Sequence, residues 1–230
     1  MSSLGAAAQE SATLEPRVRI QTTAGDFVVE LDTVRAPLTS ENFLRYVRDG
    51  FYDGTLVHRV VPNFVVQGGG FGADYREMTV RGPIPNESGN GLPNRRGSLG
   101  MARGESPHSA TSQFYVNLND NPGLNPLPSR WGYAVFGQVV EGLDVVDRIA
   151  HVVTGQRGPF GADAPLKPIL ITRAEVIGET RPEPLPAPAE PPLPPAANAA
   201  DSGDGAVPTE GEGNPAGDDQ AAADGSESRP

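Results

Sequence analysis

Residues 56–70 read Leu-Val-His-Arg-Val-Val-Pro-Asn-Phe-Val-Val-Gln-Gly-Gly-Gly, and this stretch constrains the fold more than any other. Two β-branched runs, Val57 to Val61 and Phe64 to Val66, flank Pro62-Asn63, the composition of two strands joined by a tight turn. Arg59 interrupts the first run. Strand alternation puts it on one face with Val57 and Val61. A guanidinium cannot shed its proton to escape burial. Arg59 must therefore reach water, paired with an acid at a rim, or face a cleft where its donors meet a carbonyl or carboxylate.

The rest of the chain extends this pattern. Val18–Gln21 and Phe27–Leu31 read as strands joined through Gly25, and further strands are predicted over 56–60, 64–67, 98–102, 113–117, 133–140 and 169–177. Phe43, Leu44, Tyr46 and Val47 fall at helical spacing, which predicts a helix over 37–48 with Thr39 or Ser40 as its cap. A second helix is predicted over 143–150. Many short strands with two isolated helices point to an antiparallel barrel plugged at its ends. Abundant Phe, Val, Ile and Leu at strand positions predict a filled interior, which argues against an apolar-ligand carrier.

Composition divides the chain. Of the net charge of −11, about −9 lies from Glu179 onward, leaving about −2 for the remainder. The nearly neutral part has no basic face to neutralise phosphates, so nucleic acid is not an expected partner. From Glu179 the sequence is rich in Pro, Ala, Gly and acids and lacks aromatic residues, which predicts a disordered tail over 179–230. Residues 1–15 are expected to be a disordered N-terminal segment, and 16–178 one folded domain. The first ten residues carry no secretory pattern and no run is long enough to span a bilayer, so a cytoplasmic monomer with no membrane partner is expected. The chain has no cysteine.

Three blocks in order carry a family resemblance. His58-Arg59-Val60-Val61-Pro62-Asn63-Phe64-Val65-Val66-Gln67-Gly68-Gly69 is the first. The second runs from Gly97 to Arg103 and on from His108 to Asn117, and the third is Tyr133 to Gly142. Together they resemble the cyclophilin-type peptidyl-prolyl cis/trans isomerases from about Val18 to about Ile177. The resemblance implies a mainly β fold, a closed eight-stranded antiparallel barrel capped by two α-helices, with a groove on its outer wall. It also implies acceleration of rotation about X-Pro bonds in protein folding, without a cofactor or metal. The expected partners are proline-containing peptides and unfolded or partly folded proteins.

On this resemblance Arg59, Phe64 and Gln67 are the catalytic residues. Val65, Ala102, Arg103, Gln113, Tyr115, Leu124 and Tyr133 bind the substrate. Phe64 and Tyr115 wall the proline pocket, Val65 and Leu124 close it, and Gln67 and Gln113 orient Arg59. Arg103 stands where many relatives have asparagine, and Tyr133 where many have histidine. Gly123 replaces a tryptophan or other aromatic residue, so weak cyclosporin binding is expected, with Trp131 near enough in sequence to refill part of the space. The alternative is a catalytically weak proline-peptide binding module or chaperone using the same groove.

Other motifs do not hold up. Gly68 to Ala73 loosely fits a dinucleotide loop, but the segment that follows has no helical pattern. His58, His108 and His151 are too scattered for a metal cluster, and His58 is expected to pack beside the groove rather than titrate in catalysis. No Gly-X-Ser-X-Gly elbow is present.

Overall fold

The computed structural model describes residues 15–180. The expected tail over 179–230 lies outside the described residues apart from Glu179 and Thr180, as does the expected N-terminal segment over 1–15 apart from Glu15. Ten strands and two α-helices follow one another as β1 (Arg17–Thr22), β2 (Gly25–Leu31), α1 (Pro37–Arg48), β3 (Thr55–Val61), β4 (Val65–Gly72), β5 (Ser98–Met101), β6 (Phe114–Asn117), β7 (Val135–Glu141), α2 (Leu143–Ala150), β8 (Thr154–Arg157), β9 (Phe160–Pro165) and β10 (Ile169–Val176). Eight of the strands close a barrel in the order β1-β10-β3-β4-β6-β5-β7-β2, and every named pairing is antiparallel. The closed eight-stranded barrel with two helices is as expected.

Closure removes both sheet edges and turns alternate side chains inward. Val18, Ile20, Val29, Leu31, Val60, Val116, Phe136 and Ile171 fill the centre, joined by Phe43 and Val47 from α1 and by Val146 and Ile149 from α2. Phe43 packs against Tyr52, Phe114 and Phe136 at ring separations of 5.3, 5.4 and 5.3 Å. An interior cavity bounded by Phe27, Val57, Phe114 and Ile149 measures only about 10 Å³, room for one water at most. Among the described residues this part of the interior offers no ligand-sized space, which turns attention to the outer wall.

Three local expectations are corrected. Val57 belongs to the interior cluster, whereas Arg59 lies on the outer wall, so the two do not share a face. The pairing shifts register between Val57, opposite Gly68, and Arg59, opposite Gln67. This bulge makes His58 the extra residue and reverses the alternation. The helix cap is also different: Thr39 and Ser40 lie inside α1, whose N-cap Ala36 has no capping side chain. Instead the remote Glu87 carboxylate accepts from the backbone N–H groups of Leu38 and Thr39 (3.1 and 2.8 Å) and from the Thr39 hydroxyl (2.6 Å). It satisfies two donors that the first turn leaves open and places negative charge at the positive end of the helix. Finally, β8 and β9 form a two-stranded hairpin outside the barrel, where the sequence suggested no strands. Gly155, Gly158 and Gly161, with Phe160 the one large apolar side chain in the hairpin, hide it from apolar periodicity.

Glu87→Ala should lower stability by about 1 kcal/mol, and Glu87→Gln by less because its amide oxygen can still accept. Urea denaturation of the two variants against the parent checks the order.

Candidate active site

The hairpin β3–β4 is set by its turn. Phe64 N–H donates to Val61 C=O across 3.0 Å, Pro62 sits at the second position, and Asn63 takes a left-handed φ of 59°, a conformation that asparagine tolerates better than most residues. The turn aligns Arg59 opposite Gln67. Gln67 stands opposite Tyr115 on β6, and Tyr115 opposite Gly100 on β5. One row thus crosses four strands of the barrel wall.

That row is the floor of a groove of about 360 Å³ lined by Arg59, Phe64, Val65, Gln67, Ala102, Arg103, Tyr115, Leu124 and Tyr133. Nine of the ten expected site residues converge there. Gln113, the tenth, stands one step back: its Oε1 accepts from Gln67 Nε2 at 2.9 Å, while Gln67 Oε1 accepts from Arg59 Nη1 at 3.3 Å. The Arg59 guanidinium carbon lies 5.8 Å from the Phe64 ring centroid. The side chain is 37% exposed and its Nε lies 3.5 Å from Asp163 Oδ2, so the rim pairing with an acid and the groove position coexist.

Glycine makes room for this row. A Cβ at Gly100 would stand 2.2 Å from the Tyr115 ring, and one at Gly70 would stand 2.5 Å from the Gln113 side chain. Both side chains lie over a bare backbone. Tyr115 is buried, and burial pushes its phenol well above the ordinary tyrosine range. Its hydroxyl donates to Asn94 Oδ1 at 2.7 Å, so it acts as a neutral apolar wall with a tied end.

A set of asparagines missed by sequence reading holds the groove rim. Asn94 Nδ2 donates to Asn125 Oδ1 at 3.1 Å, and Asn117 Nδ2 to Asn94 Oδ1 at 3.2 Å. Asn121 Nδ2 donates both to Asn117 Oδ1 at 2.7 Å and to Phe64 C=O at 3.0 Å. The turn bearing Phe64 is thereby tied to the loop bearing Leu124, whose carbonyl accepts from Tyr133 N–H at 2.9 Å. Their sequence signal was slight, since asparagines among Gly and Pro read as loop residues.

Arg103 does not extend freely toward a ligand. Its Nε donates to Gly132 C=O (3.2 Å), its Nη2 to Trp131 C=O (3.1 Å) and its Nη1 to Gly104 C=O (3.0 Å), while the guanidinium carbon lies 4.6 Å from the Tyr133 ring centroid. It clamps the far rim. Trp131 does not refill the space at Gly123: it lies 45% exposed in a separate depression with Pro126, Leu127 and Arg130. A Cβ at Gly123 would meet nothing within 4 Å, so that edge of the groove is open.

A larger depression, about 440 Å³, lies between β2, β7 and residues 92–98. Its lining contains no aromatic residue, and its charges are largely engaged, Arg35 with Asp32 at 2.7 Å and Arg96 with Asp147 at 2.8 Å. The smaller groove, with a cation beside aromatic and aliphatic walls, is the better site for a proline-like ring.

Residues 17–176 match the family model of the cyclophilin type peptidyl-prolyl cis-trans isomerases. The chain belongs to this family. It is an enzyme that catalyses rotation about X-Pro peptide bonds. Its similarity to peptidyl-prolyl cis-trans isomerase cyp18 of Streptomyces antibioticus is 50% identity over 165 residues, 70% of this chain and 98% of the relative. Peptidyl-prolyl cis-trans isomerase B of Escherichia coli is 45% identical over 162 residues, covering 69% and 98%. Among solved structures, a cyclophilin type isomerase of Cryptosporidium parvum crystallised in the presence of the dipeptide Ala-Pro aligns with a TM-score of 0.58 at 25% identity, over 71% of this chain and 99% of that one. The reading as a catalytically weak binding module is not favoured by these relatives.

His58, beside the cyclophilin groove, is 3% exposed and packs against Phe160 and Phe71 at 5.1 and 4.8 Å between ring centroids. Burial is the main cause that lowers its pKa to about 4. Between that value and the ordinary pKa of about 6.5, the unfolded chain binds a proton that the folded chain refuses. Stability should therefore fall as pH drops through this window, by about 3 kcal/mol in total from this group, with no further loss from it below about pH 4. Denaturation at stepped pH, with His58→Gln as the variant lacking the slope, checks this. An NMR titration of the ring with a midpoint near 6.5 would contradict it.

Proposed function

We propose that Arg59 is the catalytic donor of this cyclophilin, acting within a folded unit formed by residues 16–178. Amide rotation faces a barrier of roughly 18–20 kcal/mol because the nitrogen lone pair is delocalised into the carbonyl. At the twisted transition state the nitrogen becomes pyramidal and regains that pair, while charge separation along O–C–N falls. An apolar surface favours the less polarised state, and a donor meets the freed pair. A turnover near 10 per second corresponds to a barrier of about 16 kcal/mol, so the site must supply about 2–4 kcal/mol of stabilisation beyond simple binding.

The observation that carries this reading is the row of Arg59, Gln67 and Tyr115 across adjacent strands. It sets a cation at the edge of an apolar notch and gives it a side-chain partner. Phe64, Val65, Tyr115 and Leu124 receive the proline ring. Gln67, backed by Gln113, orients Arg59, and the planar guanidinium fork can hold the proline carbonyl while presenting an N–H to the nitrogen. Ala102 and the Arg103–Tyr133 rim receive the residues before proline. No bond is broken, and no cofactor or metal has a part in this scheme.

The substrates in this reading are X-Pro bonds of unfolded or partly folded chains, and the enzyme works as a cytoplasmic monomer that binds neither nucleic acid nor membrane. Two features support a site for extended peptide: nothing crowds Gly123 beside the groove, and the groove's two cations are engaged, Arg59 with Asp163 and Arg103 with backbone carbonyls. Among the described residues, no helix is long and apolar enough to cross a membrane.

Exchange NMR on an Ala-Pro test peptide reads the rotation directly. Arg59→Ala should lower the catalysed exchange rate by about 10- to 100-fold, the scale of one charged hydrogen bond, with the fold retained. Undiminished catalysis by this variant would remove Arg59 from the mechanism.

A further inference from the structure

The hairpin outside the barrel is docked beside the groove. Phe160, at the start of β9, stacks on His58 (5.1 Å, 24° between ring planes) and meets Phe71 edge-on (4.7 Å, 84°). Ala164 is fully buried. Asp163 lies between these two anchors, and its carboxylate faces Arg59 Nε across 3.5 Å with 48% of its side chain exposed.

We propose that Asp163 is a positioning residue for the catalytic guanidinium. This rests on the assignment of Arg59 as the donor. Arg59 has five N–H groups in a rigid plane, and a long side chain bearing a cation at a rim has several rotamers open to it. Gln67 engages Nη1 and Asp163 draws the Nε edge toward the hairpin. Two edges of the plane are thus oriented by protein groups, leaving Nη2 for the substrate. One contact fixes a point of the guanidinium, but two fix the direction of its plane. The anion also offsets the charge of Arg59 when no substrate is present. An exposed pair of this kind contributes little to stability; its value here is orientation.

The test is a double-mutant cycle on the full chain with an Ala-Pro peptide: Asp163→Ala and Asp163→Asn, each in the parent and in the Arg59→Ala background. Asp163→Glu serves as the conservative variant. At low salt both neutral variants should lose about two- to five-fold in kcat/KM, mainly in kcat, with Asp163→Glu recovering part of the loss. The loss should vanish when Arg59 is already alanine and should shrink at about 1 M salt, where exposed charges are screened. The Arg59 Nε–H resonance should shift and broaden, while the ring signals of His58 and Phe160 stay in place and report a seated hairpin. Full activity of both neutral variants alongside an impaired Arg59→Ala overturns the positioning role alone. A loss that persists undiminished in the Arg59→Ala background overturns it as well. Unimpaired Arg59→Ala overturns the donor assignment and this inference with it.

Discussion

A cation on the outside of a barrel swings into water unless something holds it, and the catalysis proposed for this molecule depends on how Arg59 is held. The register of β3, β4, β6 and β5 sets Arg59, Gln67, Tyr115 and Gly100 side by side. Gln67 carries the link onward, accepting from Arg59 and donating to Gln113. Because a slip of one residue would turn every side chain to the other face, the active row and the hydrophobic interior are specified together. The bulge at His58 is the exception that makes both possible. It lets Val57 point inward and Arg59 outward within three residues.

The packed interior and the open groove divide the work. Phe43, Tyr52, Phe114 and Phe136 pack closely inside, so the wall that bears the groove is backed by a filled interior. On the outside, buried asparagines take over where strands end. Asn94, Asn117 and Asn121 join the Phe64 turn to the Leu124 loop through side-chain amides, and Asn121 adds a second donor to the Phe64 carbonyl, which also accepts from Leu118 N–H at 2.9 Å. Such a polar network is stabilising only when its members are paired, and the bonds made by these three meet that condition.

Much of this was legible in the sequence because it rests on local chemistry. The Pro62-Asn63 turn, the apolar alternation of β1 and the apolar run of β2 are properties of a few adjacent residues. The helix Pro37–Arg48 followed from the spacing of Phe43, Tyr46 and Val47, yet its cap did not, since Glu87 reaches it from a distant loop. The bulge at His58 is set by the pairing of two strands and leaves no mark on one strand alone. The β8–β9 hairpin, and with it Asp163, was hidden because its anchor is a single aromatic, Phe160, packed on residues far away in sequence. Nine of the ten candidate site residues meet in one groove, and their convergence came from the family resemblance; strand periodicity alone would have assigned Phe64, Val65 and Tyr115 to the interior.

In the proposed complex a proline ring sits in the notch between Phe64, Tyr115 and Leu124 with its amide against Arg59. A crystal structure of the protein with a bound Ala-Pro peptide measures this most directly. The expected result is the ring in that notch, with a guanidinium nitrogen at hydrogen-bond distance, about 3 Å, from the proline carbonyl. A peptide seated instead in the depression between β2 and β7, or one whose amide lies beyond reach of Arg59, would contradict it.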